Sequence, residues 1–329
     1  MSMFASDLVV IGAGPVGLYA AYYAGFRGLS TTVVDALPEV GGQISAMYPE
    51  KPIYDIAGFP AVLGRDLVAA LKEQADRFSP GYVLGERADG LVRDDDGALT
   101  VTTAAGTAIR CRSVVISGGI GAFTPRPLPV GADWHGRGLS YFVPSLEAHA
   151  DQDVIVVGGG DSACDWALSL APIARSVTLV HRRGAFRAHA HSVAQVMASA
   201  VEVITDAEVK QIGGTGQIEH VEINGPGGSI VRPAQAVIAA LGFTANLGPI
   251  RQWGIDVQGN RHIPVDTAMS TNVPGVFAAG DITDYRGKVR LISVGFGEAA
   301  TAVNNAAVLI NPEEALFPGH SSDALPAPA

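Results

Sequence analysis

Apolar residues in this chain come in short runs that end on glycine. Leu8–Ile11 has the length and composition of a buried strand, and Leu18–Phe26 reads as the helix after it. Between them stand Gly12, Gly14 and Gly17, spaced G-x-G-x-x-G. Thr31–Val34 is a second strand, and it ends on Asp35, 18 residues beyond Gly17. Strand, glycine turn, helix, strand and terminal acid in that order predict a β-α-β nucleotide unit, its acid placed to bond both ribose hydroxyls of an adenosine. The same plan recurs. Val154–Val157 is the strand, Gly158, Gly160 and Ala163 give G-x-G-x-x-A, and Val177–Val180 is the next strand. Here the position 18 residues beyond Ala163 is His181, followed by Arg182 and Arg183, with Arg187 close behind. An acid repels a 2′-phosphate, whereas guanidinium groups pair with one. The two turns therefore read as an FAD-type or NAD-type adenosine site and an NADP site.

Other elements are sparser. Leu99–Thr102 and Ser113–Ser117 are strand-like, and Arg93–Gly97 reads as a hairpin turn. Gly118–Gly131 and Ala240–Pro249 are rich in glycine and proline and read as crossover linkers, so the piece from about Gly121 to Phe243 is expected to be inserted into the first domain. Val273–Ile282 is another strand, running into Gly280-Asp281, and Gly295–Ile310 reads as a helix aimed at whatever that strand end holds. The expected architecture is α/β with two Rossmann-like dinucleotide-binding domains: residues 1–120 with 244–329, and 121–243 inserted between them. Two linkers leave the inserted domain free to rotate.

Composition narrows the functional classes. A net charge of −10 argues against a broad nucleic-acid surface. The two cysteines, Cys111 and Cys164, form no CxxC, which argues against a zinc site or a disulfide framework. Cys164 reads as a small buried hydrophobe. No apolar run reaches membrane-spanning length, and the first strand begins at Leu8, so a cytoplasmic protein without a signal peptide is expected.

The motifs together resemble the two-dinucleotide-binding flavoproteins, above all the thioredoxin reductase branch. Thioredoxin reductases carry a CxxC shortly before the second glycine motif, and the corresponding segment here, Trp134–Trp166, has no cysteine pair. The wording of "GGQISAMYPEKPIYDIAGFP", "GGGDSACDWAL", "HRRGAFRAHAHSV", "LGFTANLGPI", "FAAGDI" and "GFGEAATAVNNA" is similar to ferredoxin–NADP reductase of the thioredoxin reductase type. That resemblance implies FAD in the first domain and NADP in the inserted one. It implies Asp35 at the adenosine ribose, Gln43 at the pyrophosphate or ribityl chain, Asp281 at the ribityl chain, and Ala88 and Phe123 along the cofactor. Tyr48 would stack on one flavin face and His320 on the other, with Ser322 nearby. Gly158, Gly160, Asp161, Ser162 and Ala163 would hold NADP, with His181, Arg182, Arg183 and Arg187 at its 2′-phosphate. No side-chain acid or base is implied: a hydride would pass from NADPH to flavin N5, and single electrons would leave to ferredoxin.

Alternatives stay open at this point. A flavodoxin reductase or a general NADPH diaphorase shares every motif, and acceptor kinetics separate them. A flavin monooxygenase would need a linker signature absent here. A non-enzymatic redox switch that binds NADPH would show no sustained turnover. A homodimer is implied by the resemblance alone. Ferredoxin or flavodoxin, being acidic, would need a basic docking patch, for which Lys51, Arg65, Arg126, Arg286, Lys288 and Arg290 are the candidates.

Overall fold

The computed structural model describes residues 3–119, 121–259 and 261–320, with the backbone alone at 3, 122–124 and 244–246. The chain divides into two compact units, Met1–Phe123 with Ala245–Ala329, and Thr124–Thr244.

The first unit is built on a parallel five-stranded sheet in the order Val276–Ala278, Ser113–Ile116, Leu8–Ile11, Thr31–Asp35, Gly81–Leu84. Its inner strands are apolar at almost every position because both faces are covered: Val10, Val33 and Val115 pack against helices, and Val9, Ile11 and Val114 against Leu99, Val101 and Ile109 of a second sheet. Helix Pro15–Phe26 follows the glycine turn and shares a core with helix Ile292–Ile310, where Ala20, Ala21 and Ala24 join Ala299, Ala302, Val303 and Ala306. Small residues let the two backbones approach closely. A second sheet in this unit carries Ala88–Arg93, Leu99–Thr103 and Ala108–Cys111 antiparallel, with Met3–Ala5 along its edge. The turn between the first two is the expected hairpin: Asp94 N–H donates to Ala98 O and Gly97 adopts φ 85°.

The second unit repeats the arrangement. Its parallel sheet runs Leu139–Ser140, Ala236–Ala239, Asp153–Val157, Ser176–Val180, Glu202–Ile204. Helix Asp161–Leu170 follows the second glycine turn. An antiparallel meander, Glu208–Gly213, His220–Gly225 and Gly228–Pro233, accompanies the sheet; sequence periodicity gave no sign of it. The two linkers are not irregular throughout. Each contains a short strand, Ala122–Pro125 and Phe243–Asn246, and these pair with each other.

Candidate nucleotide-binding sites

In the first unit the sequence around Leu8–Ile11 leaves one way out of the strand. Gly12 has φ 110°, and a Cβ there would lie 2.7 Å from Ser117 O. A Cβ on Gly17 would lie 1.8 Å from Gly12 O, so helix Pro15–Phe26 can cross the turn only with glycine at that position. Gly14 differs. A Cβ there meets nothing within 4 Å, because Gly14 faces a cavity of about 360 Å³. Gly14 is also the N-cap of its helix, and no side chain caps it. Open space against an uncapped helix N-terminus suits a phosphate.

The cavity gathers most of the expected FAD residues: Gly12, Gly14, Asp35, Gln43, Tyr48, Ala88 and Asp281 all line it. Each Asp35 oxygen accepts one backbone N–H, Oδ2 from Ala13 at 2.6 Å and Oδ1 from Leu37 at 2.8 Å. The carboxylate is thereby fixed at the edge of the turn. Burial raises its pKa, and these backbone donors oppose the rise. Gln43 packs over Gly119, where a Cβ would stand 3.0 Å from the Gln43 amide nitrogen. At the other end of the cavity, burial raises the pKa of Tyr48, and the Asp281 carboxylate adds to the rise. Asp281 is itself raised by burial, while Lys288 and Arg290 pull it back down. Ile292, the first residue of helix Ile292–Ile310, lines the same cavity, so that helix starts three residues earlier than expected and its N-terminus reaches the site.

Sequence reasoning missed the support beneath Asp281. Glu298 is buried in that helix. Its Oε2 accepts the Gly280 N–H at 2.7 Å, and its Oε1 accepts the Tyr285 hydroxyl at 2.6 Å and pairs with Lys288. The Lys288 ammonium also donates to Gly280 O at 3.0 Å. A lone acid in a helix of small apolar residues was the available signal. Ser117, also unforeseen, braces the glycine turn by donating its hydroxyl to Gly12 O at 3.1 Å.

Some expectations need correction. Lys288 is no docking residue: its side chain is 2% exposed and is paired with Glu298. Arg65 pairs with Glu50 and Arg290 with Asp284, so these two cations are locally neutralised. Arg126 and Arg286 remain exposed. His320 does not line the cavity of its own chain. Arg27, at the C-terminal end of helix Pro15–Phe26, donates to Ala315 O and Leu316 O, and this holds the tail at the end of the helix away from its glycine turn. The His320 ring meets Phe317 edge-on at 5.3 Å. Ser322 and the side chain of Phe123 lie outside the described residues.

In the second unit Gly160 plays the part of Gly14. It is the N-cap of helix Asp161–Leu170, no side chain caps it, and a Cβ there meets nothing within 4 Å. Ala163 is buried against Gly158, whose own Cβ would lie 2.5 Å from Ala240 O. Ser162 is exposed in the first turn of the helix. Arg182, Arg183 and Arg187 are exposed on the loop after Ser176–Val180, beside this turn. His181 stands apart from them: it is 7% exposed, and its Nε2 donates to Ala185 O at 3.1 Å. The Asp161 Oδ1 accepts the His189 N–H at 2.8 Å.

Both cysteines are buried and free. Burial pushes the Cys111 thiol up to about 12 and the Cys164 thiol up to about 11. They belong to different units. Among the described residues no helix is long and apolar enough to cross a membrane, and no cluster of acidic, histidine and cysteine side chains has metal-holding geometry.

The family described as Pyridine nucleotide-disulphide oxidoreductase matches residues 6–306. Similar proteins include the ferredoxin–NADP reductase of Nocardioides sp., 61% identical over 96% of this chain and 97% of the relative. That of Frankia alni is also 61% identical, over 96% and 98%. Among solved structures, the thioredoxin reductase of T. acidophilum superposes with a TM-score of 0.77 at 23% identity, covering 92% of this chain and 98% of the other. That of Lactococcus lactis gives 0.76 at 25%, covering 93% and 99%.

Proposed function

This chain belongs to the pyridine nucleotide-disulphide oxidoreductase family, and from that premise we propose that it is an FAD-dependent oxidoreductase passing electrons between NADPH and ferredoxin without a redox-active disulfide. One observation carries the reading: two glycine turns of the same build end differently, one on a fixed carboxylate and the other on exposed arginines, in a chain whose two cysteines are buried in different units. The acid-ended turn suits FAD and the arginine-ended turn NADPH. Residues 1–123 with 245–329 form the FAD unit, and residues 124–244 the NADP unit.

Bound FAD supplies a hydride acceptor and a one-electron donor. The chain supplies placement. Gly14 leaves room for a pyrophosphate at the start of helix Pro15–Phe26, and Asp35 keeps a second lone pair on each oxygen for the ribose hydroxyls. Gln43 bonds further along the cofactor. Tyr48 offers a ring face at the redox end, Asp281 accepts from the ribityl hydroxyls, and the N-terminus of Ile292–Ile310 favours negative charge there. Arg182, Arg183 and Arg187 hold the 2′-phosphate of NADPH. A homodimer and a cytoplasmic location belong to the same proposal.

A thiol relay is the specific alternative in this family. The double variant Cys111→Ala/Cys164→Ala is expected to keep NADPH-driven ferredoxin reduction within about twofold of wild type, because neither buried thiol is ionised at neutral pH. Loss of ferredoxin reduction with flavin content unchanged would contradict it.

A further inference from the structure

The two units solve one local problem with different chemistry. In each, a residue at the C-terminal end of the second strand (Asp35, its last residue, or His181, the one after it) reaches back to the middle residue of the G-x-G turn. In the first unit Asp35 accepts the Ala13 N–H. In the second, the His181 ring lies flat against Gly159: a Cβ on Gly159 would stand 2.0 Å from Cε1, 2.2 Å from Nδ1 and 2.5 Å from Nε2. A carboxylate approaching an N–H leaves room for alanine at position 13. An imidazole filling that space leaves none at position 159, which accounts for three successive glycines in the second turn.

The ring has further contacts. It stacks on Phe186 with centroids 4.9 Å apart, and its Nε2 donates to Ala185 O. The backbone of His181 is fixed by bonds to Ile204 O and from Ala207 N–H. Beyond the ring, the loop is fastened again to the same turn, by Arg187 N–H on Gly159 O at 2.8 Å and by His189 N–H on Asp161. Arg182, Arg183 and Arg187 thus sit on a loop clipped to the pyrophosphate turn at both ends.

We infer that His181 is a positioning residue for NADPH selectivity: a buried wedge that sets the distance between the glycine turn and the arginines, and not itself a ligand of the 2′-phosphate. The inference rests on reading the second unit as the NADP site. It assigns Gly159 a matching role, as the residue whose missing side chain receives the ring. The two positions should therefore couple. Removing the ring loosens the arginine loop, so ligands that carry the 2′-phosphate lose more than those that lack it. Adding a methyl at 159 pushes the ring out, and removing the ring relieves the clash.

The test uses the FAD-loaded enzyme and four variants, Gly159→Ala, His181→Ala, the double variant and His181→Phe. Calorimetry reads the affinity for 2′,5′-ADP, kinetics the ratio of kcat/KM for NADPH over NADH, and flavin content reports folding. Wild type binds 2′,5′-ADP. Gly159→Ala and His181→Ala each weaken it about tenfold, and the double variant binds at least about threefold better than the product of the two losses predicts. His181→Ala lowers the NADPH-to-NADH ratio. His181→Phe, which keeps a flat ring on Gly159 and Phe186 without a donor or charge, stays within about threefold of wild type. Multiplying losses, an unchanged ratio in His181→Ala, or a His181→Phe variant as weak as His181→Ala would overturn the inference, the last by making His181 a direct ligand. Failure of wild type to bind 2′,5′-ADP would overturn the NADP reading along with it.

Discussion

At the scale of single residues, the redox end of the cavity is a charge-balance problem. Asp281 is half-buried, and that burial holds its pKa above the ordinary carboxylate value of 3.8. The folded state therefore takes up this proton more readily than the unfolded chain. The cost of the charge is present above the raised pKa and is relieved as pH falls through it. In FAD-free protein, Asp281→Asn is expected to raise Tm near about pH 8, with the gain shrinking toward about pH 4, while FAD affinity drops about tenfold or more. Thermal melts and a flavin titration check both halves, and an unchanged FAD affinity would remove Asp281 from the site. Beneath it, Glu298 holds Gly280 in place. Lys288→Met leaves that carboxylate buried without its cation and is expected to cost about 3–5 kcal/mol. Tyr285→Phe removes one neutral donor from the same oxygen and is expected to cost about 1 kcal/mol in urea unfolding. Asp35 and Asp281 were legible in the sequence because each follows an apolar strand. The Glu298–Lys288 pair was not, because its partners are ten residues apart and meet only when helix Ile292–Ile310 packs under the Gly280 turn.

At the scale of elements, the glycines of one motif do different work. Gly17 is needed for helix packing, since a methyl there would stand 1.8 Å from Gly12 O. Gly14 has no such neighbour; its empty space is the cavity. Gly17→Ala is therefore expected to lower the thermal stability of FAD-free protein by several degrees and to abolish FAD binding. Gly14→Ala leaves the FAD-free melt within about 2 °C of wild type while weakening FAD about tenfold. Equal damage from both would mean that the turn acts as one structural unit with no ligand face. The β-α-β units were readable because parallel strands covered on both faces are apolar throughout, and glycine marks where they end. The meander Glu208–Pro233 escaped because its strands are half exposed: Glu208, Lys210 and Gln211 alternate with buried Val209 and Ile212 in a run too short and too polar to mark a strand. The linker strands escaped because glycine and proline flank them, and only their mutual pairing makes them strands.

At the scale of the whole molecule, the chain is two copies of one plan, each a five-stranded parallel sheet with an antiparallel meander, and the second is inserted into the first. The repeat was visible in the spacing of the glycines, and the insertion in the glycine- and proline-rich linkers. Which cations are paired was not visible, because formal charge says nothing of pairing: Glu50, Asp284 and Glu298 take up three of the six cations proposed for docking. The different strand ends are the basis for the proposed assignment of one unit to FAD and the other to NADPH, and with both thiols buried in different units the flavin is the proposed exit for electrons. The most direct test is anaerobic stopped-flow, mixing the yellow protein with NADPH or NADH and then with oxidised ferredoxin while the flavin band is followed. The account predicts fast bleaching by NADPH, much slower bleaching by NADH, and rapid return of the band with ferredoxin. Equal bleaching by both nucleotides, or a reduced flavin that ferredoxin leaves reduced, would contradict it.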